Sequence, residues 1–485
     1  MNYDVAVIGC GVTGAAVAYT LARYNVSVVI LEAENDVADA TTKANSGLFH
    51  AGYDPEPGSD MARLNVEGTA AAKEICRKLD VPVKWCGSFV IGFTQNDMQT
   101  IRSLYDRGIK NKVPGMEILT ARQTLNMEPA LSTAVRGALY APTAGVVSPW
   151  EYALAMAETA VRNGAELKRR FRVTAIKKAE QSRYVIQAQN GSQVQASYIV
   201  NAAGVYADKI HNMVSPAAFK ILPKRGEYYL MDKTESDCVR RVIFQCPSKE
   251  GKGVLVSPTA HGNLLVGPNS ENSEPDDTSC TAKGLQFVAE TAKKSVPTLK
   301  FGSSIRNFAG VRANSDKDDF IIGEAEDAKG FIDLAGIKSP GLSSAAAVGV
   351  RCAELLEKAG LKLTERKTFI DTRTRIRFAS LTPREKQELV TQNPKYGRII
   401  CRCETITEGE ILDALASPIP PVSVDGVKRR CNTGMGRCQG GFCGPRVMEI
   451  LMREAHINYK ELLQDKDGSV ILSGLTKKQP DPVGK

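Results

Sequence analysis

A glycine-rich strand–turn–helix–strand at the N-terminus, alternating strand patterns through the middle and a cysteine-dense stretch near the C-terminus predict an α/β chain. The expected architecture is a dinucleotide-binding domain interleaved with an α+β domain built on an antiparallel sheet. A small, mainly helical domain follows them.

The N-terminal element is read first. Asp4-Val-Ala-Val-Ile8 is a short apolar run rich in β-branched residues, which favours a strand. It leads into Gly9-Cys-Gly11-Val-Thr-Gly14 and then into the helix-forming stretch Ala15–Ala22. Ser27-Val-Val-Ile-Leu31 is a second strand, and Glu32 ends it, 18 positions past Gly14. This is a Rossmann-like βαβ unit. Gly9 makes the tight turn, Gly11 lets the backbone approach a pyrophosphate, and Gly14 lets helix pack on strand. The helix N-terminus favours the negative charge. Glu32 is placed to accept hydrogen bonds from a ribose diol.

Helical patterning follows near residues 60–80, 94–108 and 147–163. Residues 172–176 and 184–188 alternate as strands, with 189–192 as the hairpin turn. Residues 196–204 read as a buried strand ending in Ala203-Gly204. Runs at 226–231, 253–257 and 263–267 make strands of a second domain. Residues 330–336 return to the nucleotide fold, with a helix over about 343–358. The nucleotide-binding portion is therefore about 1–90, 147–217 and 326–365, and the second domain about 91–146 and 218–325. Residues 366–397 read as a charged linker, 398–465 as the cysteine-rich domain, and 466–485 as a flexible tail with Pro480, Pro482 and Gly484.

Twelve cysteines are unevenly spread, and five fall between 401 and 443. Cys401-Arg-Cys403 and Cys438-Gln-Gly-Gly-Phe-Cys443 are two close pairs, which suit a metal or an iron–sulfur cluster. A Cys-x-Cys spacing is tight for structural zinc. Cys431 is the spare; a set with Cys431 in place of Cys438 is the alternative. The other seven read as buried or incidental thiols of a cytoplasmic protein, where disulfides are rare.

The net charge of +9 is mild for 485 residues, and the basic residues are not interleaved with aromatics, which argues against nucleic-acid binding. A basic clump at Arg366, Lys367, Arg373, Arg375 and Arg377 meets either solvent or an acidic partner. No run approaches 18 apolar residues, so no transmembrane helix is expected. Peripheral membrane contact stays open. The first strand starts at residue 4, so no signal peptide is expected.

Two resemblances add to this reading. The cysteine spacing and the Gly434-Met-Gly-Arg-Cys-Gln-Gly string resemble bacterioferritin-associated-ferredoxin-like [2Fe–2S] domains. This implies one-electron wiring on Cys401, Cys403, Cys438 and Cys443. The order of the glycine fingerprint, the strand pairs, Asn201-Ala-Ala-Gly204 and Gly336-Ile-Lys-Ser-Pro-Gly-Leu-Ser343 resembles the D-amino-acid oxidase superfamily of FAD enzymes. Within it, Thr41–Gly52 and Arg225–Tyr229 are similar to L-2-hydroxyglutarate dehydrogenases. The whole layout is similar to glycerol-3-phosphate dehydrogenases. The resemblance implies FAD contacts from Gly9, Gly11, Gly14, Glu32, Thr41, Thr42, Asn45, Ser46, Gly47, Val173, Ala203, Gly204, Gly336, Lys338, Gly341, Leu342 and Ser343. Lys338 is read equally well as a solvated loop residue.

The expected activity is the FAD-dependent oxidation of a small anionic secondary alcohol, with electrons leaving through the cluster to a partner subunit or carrier. Glycerol 3-phosphate is the first candidate substrate and L-2-hydroxyglutarate or another 2-hydroxyacid the second. A non-catalytic electron-transfer subunit is the third reading. Such a reaction needs a base, and histidine, with its pKa near ~6.5, suits the role. Of four histidines, His50 lies in the turn that the resemblance places at the flavin, and His261 lies in a turn of the second domain. His211 and His456 are not expected to act. Arg312, at the end of Phe308-Ala-Gly-Val-Arg312, is the candidate for the substrate anion. Arg225 and Tyr228 are secondary contacts.

Overall fold

The structure is a computed structural model that describes residues 2–179, 183–247 and 253–474. The chain folds as two compact units, one of Met1–Ala33 with Val37–Thr374, the other of Glu34–Asp36 with Arg375–Lys485.

The first unit is built on two large sheets. In one, Asn2–Ile8 lies in parallel register between Val28–Leu31 and Gln193–Asn201. A parallel strand covered on both faces must be apolar throughout, and Val5, Ala6 and Val7 are fully buried. The late half of Gln193–Asn201 pairs in parallel with Phe331–Ala335, and its early half pairs antiparallel with Arg183–Ala188. The turn at 189–192 therefore joins 183–188 to 193–201. The helix Val12–Leu21 packs against Gly341–Lys358, and small residues set the distance: a Cβ on Gly349 would lie 2.7 Å from the Ala16 carbonyl oxygen. The helix Asp60–Lys78, capped by Ser59, closes just as tightly at Gly68, where a Cβ would lie 2.2 Å from the Ser343 carbonyl oxygen.

The second sheet is centred on two long antiparallel strands, Ile221–Met231 and Ser304–Ser315. It extends through Leu264–Gly267, Leu255–Pro258 and Val242–Gln245 to Ser88–Gly92 and Gly137–Ala141. Ser88–Gly92 pairs with Val242–Gln245, so the chain enters this sheet slightly before the expected residue 91. Phe89, Ile91, Ile243, Val256 and Val266 form its core.

Residues 366–397 differ from the linker expectation. Arg366 Nε donates to the Tyr24 carbonyl at 2.8 Å, and Arg373 pairs with Glu158 at 2.8 Å with both side chains buried. The basic clump is thus partly internal. Pro383–Gln392 is a helix with a Thr382/Glu385 capping box. Its charged residues are the solvated face of an ordered element.

The second unit packs Ile411, Val427, Val447, Ile450 and Leu451 around the helices Glu408–Leu415, Val424–Cys431 and Gly444–Glu454. Asp36 accepts from Arg430 at 2.8 Å and 2.9 Å and from Arg429 at 2.9 Å. Burial raises its pKa, but the Arg430 and Arg429 charges and hydrogen bonds outweigh that and hold the carboxyl well below its usual range. Part of the expected tail is also ordered: Val470 bridges to Leu463, and the Ile471 amide donates to Leu462. Residues 475–485 lie outside the described residues.

Candidate functional site

The glycine fingerprint forms a cradle at the carboxyl ends of the parallel strands. Gly9 has φ +94°, and a Cβ there would lie 2.6 Å from the Ala202 carbonyl oxygen; on Gly14 it would lie 2.0 Å from the Gly9 carbonyl oxygen. Neither position tolerates a side chain. The helix Val12–Leu21 has no carboxylate in its first turn, and Thr42 Oγ1 accepts from the Val12 amide at 2.9 Å. A phosphate suits such a terminus. Glu32 sits at the end of Val28–Leu31, mostly buried, and its Oε2 accepts from the Cys10 amide at 2.7 Å. Val173 opens the strand Val173–Ala179, two residues past Phe171, whose amide donates to the Glu32 carbonyl. Ala203 and Gly204 follow the strand that ends beside Gly9. This donor set and its lack of side-chain bulk fit a dinucleotide.

The segment 41–50 crosses from this cradle to the second sheet. Thr41 Oγ1 donates to the Val311 carbonyl at 2.6 Å, and the Ala44 carbonyl sits where a Cβ on Gly310 would lie, 1.7 Å away. Asn45 shapes the turn, donating to the Thr42 carbonyl at 2.8 Å and accepting from the Gly47 amide at 2.7 Å. Ser46 Oγ meets the Tyr228 hydroxyl at 3.2 Å. His50 ends the segment. Its amide donates to Ser343 Oγ at 2.7 Å, and its carbonyl accepts from Asn65 and Thr69 at 2.8 and 2.9 Å. Its Nε2 lies 3.2 Å from Ser339 Oγ, and its ring stacks on Phe244 with centroids 5.7 Å apart.

Ser339 and Ser343 belong to the turn that starts the helix Gly341–Lys358. Gly336 takes φ +62°, and Leu342 follows Gly341 in the first helical turn, whose amides lack intrahelical partners. Ser343 Oγ also donates to the Leu48 carbonyl at 3.3 Å, so its hydroxyl clamps strand to helix. Lys338 Nζ donates to the Lys317 carbonyl at 3.2 Å.

On the second sheet, residues two apart share a face. Arg312 pairs in register with Lys224, Gly310 with Gly226, and Phe308 with Tyr228. The Arg312 guanidinium lies over Gly226, where a Cβ would come 2.5 Å from Nη2, and Nη2 lies 3.4 Å from the Asn269 carbonyl oxygen. Tyr228 stacks on Phe308 at 4.8 Å. Arg312, the glycine pair and the Tyr228–Phe308 pair form one strip, with Ala44 and Ser46 across it.

Arg225 does not join that strip. Its side chain pairs with Asp277 and the fully buried Glu227, and donates to Ser279 at 2.8 Å. It is a structural arginine rather than a secondary substrate contact. His261 stacks on Trp150 at 5.4 Å in the turn between Leu255–Pro258 and Leu264–Gly267. His211 Nδ1 meets Asp333 at 2.6 Å and Nε2 the Pro216 carbonyl at 3.0 Å, a buried structural pair. Sequence reasoning missed Phe244 and Trp150 as ring partners and Ser339 as the neighbour of His50. Only Ser339 left a signal, its place in the 336–343 string.

The two cysteine pairs converge in the second unit. Cys403 and Cys438 sulfurs lie 3.7 Å apart, and a Cβ on Gly436 would lie 2.2 Å from the Cys403 Cβ. A hydrogen bond from Cys443 brings the Cys401 thiol down to about 6, while the Cys443 partner is pushed up. The Phe442 amide lowers Cys438. Cys403, like Cys443, is raised, so within each sulfur pair one thiol is lowered and its partner raised, and a bound cluster would take all four as thiolates. Cys431 stands apart by its contact: it is buried at the end of the helix Val424–Cys431, and its Sγ donates to the Val427 carbonyl at 3.3 Å.

A dinucleotide cradle joined to an antiparallel sheet, with two cysteine pairs in a second compact unit, fits a flavin- and cluster-containing oxidoreductase. The chain belongs to the FAD dependent oxidoreductase family, whose model matches residues 4–355, and a BFD-like [2Fe-2S] binding domain matches residues 399–453. The protein is an enzyme that carries FAD and a [2Fe–2S] cluster. It is 48% identical over 479 residues to the glycerol 3-phosphate dehydrogenase of Caloramator mitchellensis, covering 98% of this chain and 99% of that one. The glycerol 3-phosphate oxidase of Mycoplasma genitalium is 32% identical over 361 residues, covering 73% of this chain and 94% of its own. Among solved structures, dithionite-reduced L-α-glycerophosphate oxidase from Mycoplasma pneumoniae with FAD bound superposes with a TM-score of 0.73 at 28% identity, covering 77% of this chain and 98% of that chain. Among the described residues, no helix is long and apolar enough to cross a membrane.

Proposed function

We propose that the protein oxidises glycerol 3-phosphate to dihydroxyacetone phosphate and delivers the electrons to a separate acceptor protein. The observation that carries this reading is the near full-length match to a glycerol 3-phosphate dehydrogenase, in which both domains are included. Bound FAD supplies the hydride acceptor, and the cluster supplies a one-electron path out.

The chain's own residues do the rest. His50 takes the proton of the carbon-2 hydroxyl. With the ring neutral and its proton on Nδ1, Nε2 presents the lone pair that already faces the Ser339 hydroxyl at 3.2 Å. A substrate hydroxyl beside Ser339 would meet the same lone pair. Phe244 covers one ring face and keeps water from it. Arg312 holds the phosphate with its planar fork, in the space that Gly226 leaves. The cradle residues Gly9, Gly11, Gly14, Glu32 and Thr42 would hold the dinucleotide, and the start of the helix Gly341–Lys358 would offer the positive end of its dipole to the ring, where negative charge develops on reduction. Cys401, Cys403, Cys438 and Cys443 hold the cluster.

Anaerobic mixing with glycerol 3-phosphate, glycerol, L-lactate and L-2-hydroxyglutarate tests the substrate. Glycerol 3-phosphate should bleach the flavin absorbance fastest, and glycerol, which lacks the anion, should barely act. Bleaching by L-2-hydroxyglutarate alone would overturn the assignment.

A further inference from the structure

We propose that Lys224 is the second cation of the substrate-anion site, and that with Arg312 it makes the site select a phosphate dianion over a carboxylate. This rests on the assignment of Arg312 to the substrate anion proposed above. The placement follows from strand register. Ile221–Met231 and Ser304–Ser315 are antiparallel, and Arg312 stands directly opposite Lys224. Directly opposed residues rise from the same face, with their Cβ atoms about 4.5–5.5 Å apart. Lys224 therefore shares the face that carries Gly226, Gly310 and the Tyr228–Phe308 pair. The Arg312 guanidinium lies over Gly226, the neighbour of Lys224 on that face, and so within reach of a lysine side chain.

Like charges directly opposite one another destabilise a strand pair. Here both residues are half-buried, so water and salt screen the repulsion only in part. Among the described residues, no carboxylate offsets it. The Arg312 guanidinium has one polar contact, the Asn269 carbonyl oxygen at 3.4 Å, and the Lys224 amine has neither a hydrogen bond nor an ion pair. The positions around them are uncharged. Asn314 and Leu222 form the next pair on the same face, and Asn272 stands opposite Lys224 on its other side. The carboxylates of this part of the sheet go elsewhere. Glu227 and Asp277 pair with Arg225, which alternates to the opposite face, and the exposed Glu271 is in register with Arg225 as well. One arginine of this strand pair is thus neutralised twice, while the two cations facing the site are left for a ligand.

Two cations with no carboxylate between them match a ligand with two negative charges. A phosphate monoester carries about −1.5 to −2 at neutral pH. A carboxylate carries only one charge and would leave one cation uncompensated. The two side chains divide the work: the planar fork of Arg312 can hold two phosphate oxygens, and the compact charge of Lys224 can take the third.

The test uses the full-length protein with FAD and cluster in place and reads binding rather than turnover. Glycerol 2-phosphate, whose carbon-2 oxygen is esterified, and glycerate are titrated into the oxidised protein in a calorimeter. The unaltered protein should bind glycerol 2-phosphate the more tightly. Lys224→Met should weaken glycerol 2-phosphate about tenfold and glycerate by less than about threefold. Lys224→Arg, which keeps the charge, should bring glycerol 2-phosphate back to within about threefold of the unaltered protein. Unchanged binding of glycerol 2-phosphate in Lys224→Met, with flavin and cluster spectra intact, would overturn the proposal. So would an equal loss of both ligands that Lys224→Arg fails to repair, the mark of a distorted strand, or no preference for glycerol 2-phosphate in the unaltered protein. Should Lys224→Met not retain FAD, Lys224→Gln takes its place under the same criteria. Failure of glycerol 3-phosphate to bleach the flavin of the unaltered protein, while glycerol 2-phosphate binding keeps its dependence on Lys224, would strike the substrate reading and leave the phosphate site standing.

Discussion

His50 is fixed through its backbone and its ring at once. Ser343, Asn65 and Thr69 hold its amide and carbonyl, while Phe244 and Ser339 set its ring. His50→Asn keeps the backbone contacts and removes the base. Flavin reduction by substrate in stopped flow should slow by about 10²–10⁴-fold with FAD still bound. An unchanged rate with an unchanged pH profile would leave His50 a packing residue and pass the role to His261. For Arg312, the change to Ala removes a charge-assisted contact, about 2–4 kcal/mol if the pair is desolvated. The loss should appear as a raised KM with kcat nearly kept, because an anion far from the reacting carbon is held alike in ground and transition states. Steady-state kinetics with glycerol 3-phosphate check this; a fall in kcat alone would count against it.

At the scale of elements, the contact between segment 41–50 and the two long strands has no spare space at Gly310. Gly310→Ala would drive a methyl into the Ala44 carbonyl, a backbone group that cannot turn aside. The segment must shift, carrying Thr42 and His50 with it. Reduced FAD affinity and slower flavin reduction together are expected, read by flavin release on dilution and by stopped flow. Both at their normal values would show that the segment adapts freely. The cysteine loop makes a sharper case. Cys438→Ser should lose the cluster's visible absorption and keep FAD. Cys431→Ser should keep both, because its thiol is buried and bonded within its own helix to Val427. Iron loss in Cys431→Ser equal to that in Cys438→Ser would reassign the ligand.

At the scale of the whole molecule, the second unit recruits Glu34–Asp36 from far along the chain. Asp36 pairs with two buried arginines there; Arg429 also holds Asp465 at 2.6 Å, so Asp36→Asn chiefly removes the carboxylate on buried Arg430, at a cost of about 3–5 kcal/mol. Because the folded pKa is depressed, the stabilisation is full above the unfolded carboxylate value of about 3.9 and fades as pH falls through the lower folded value. Thermal melts followed by the cluster's visible absorption should show a large gap between the two proteins at neutral pH that narrows only in strong acid. A gap that does not vary between neutral and strongly acid pH would remove Asp36 from this role.

Local patterns were readable wherever one short stretch carries its own physics. The βαβ fingerprint is such a stretch, because turn, helix start and acidic strand end must lie in sequence order. The cysteine spacing is another, and so are the strand runs and the glycine turns. The composition of 366–397 misled, because a charged sequence describes a solvated helix face as well as a linker. The positions of Ser339 and Phe244 about His50, and of Gly226 beneath Arg312, were not legible, since each joins residues tens or hundreds of positions apart. The roles of Arg225 and Arg312 show why. Both are arginines on paired strands beside glycines, alike in local sequence. The partners that take up Arg225, Asp277 and the buried Glu227, lie in a distant loop and two residues along the same strand. The sequence by itself determined which chemistries the chain could hold, because those depend on residue types at short spacing. Only the tertiary structure decided which charged groups are neutralised in the core and which face the site, because burial and pairing are set by contacts between distant segments.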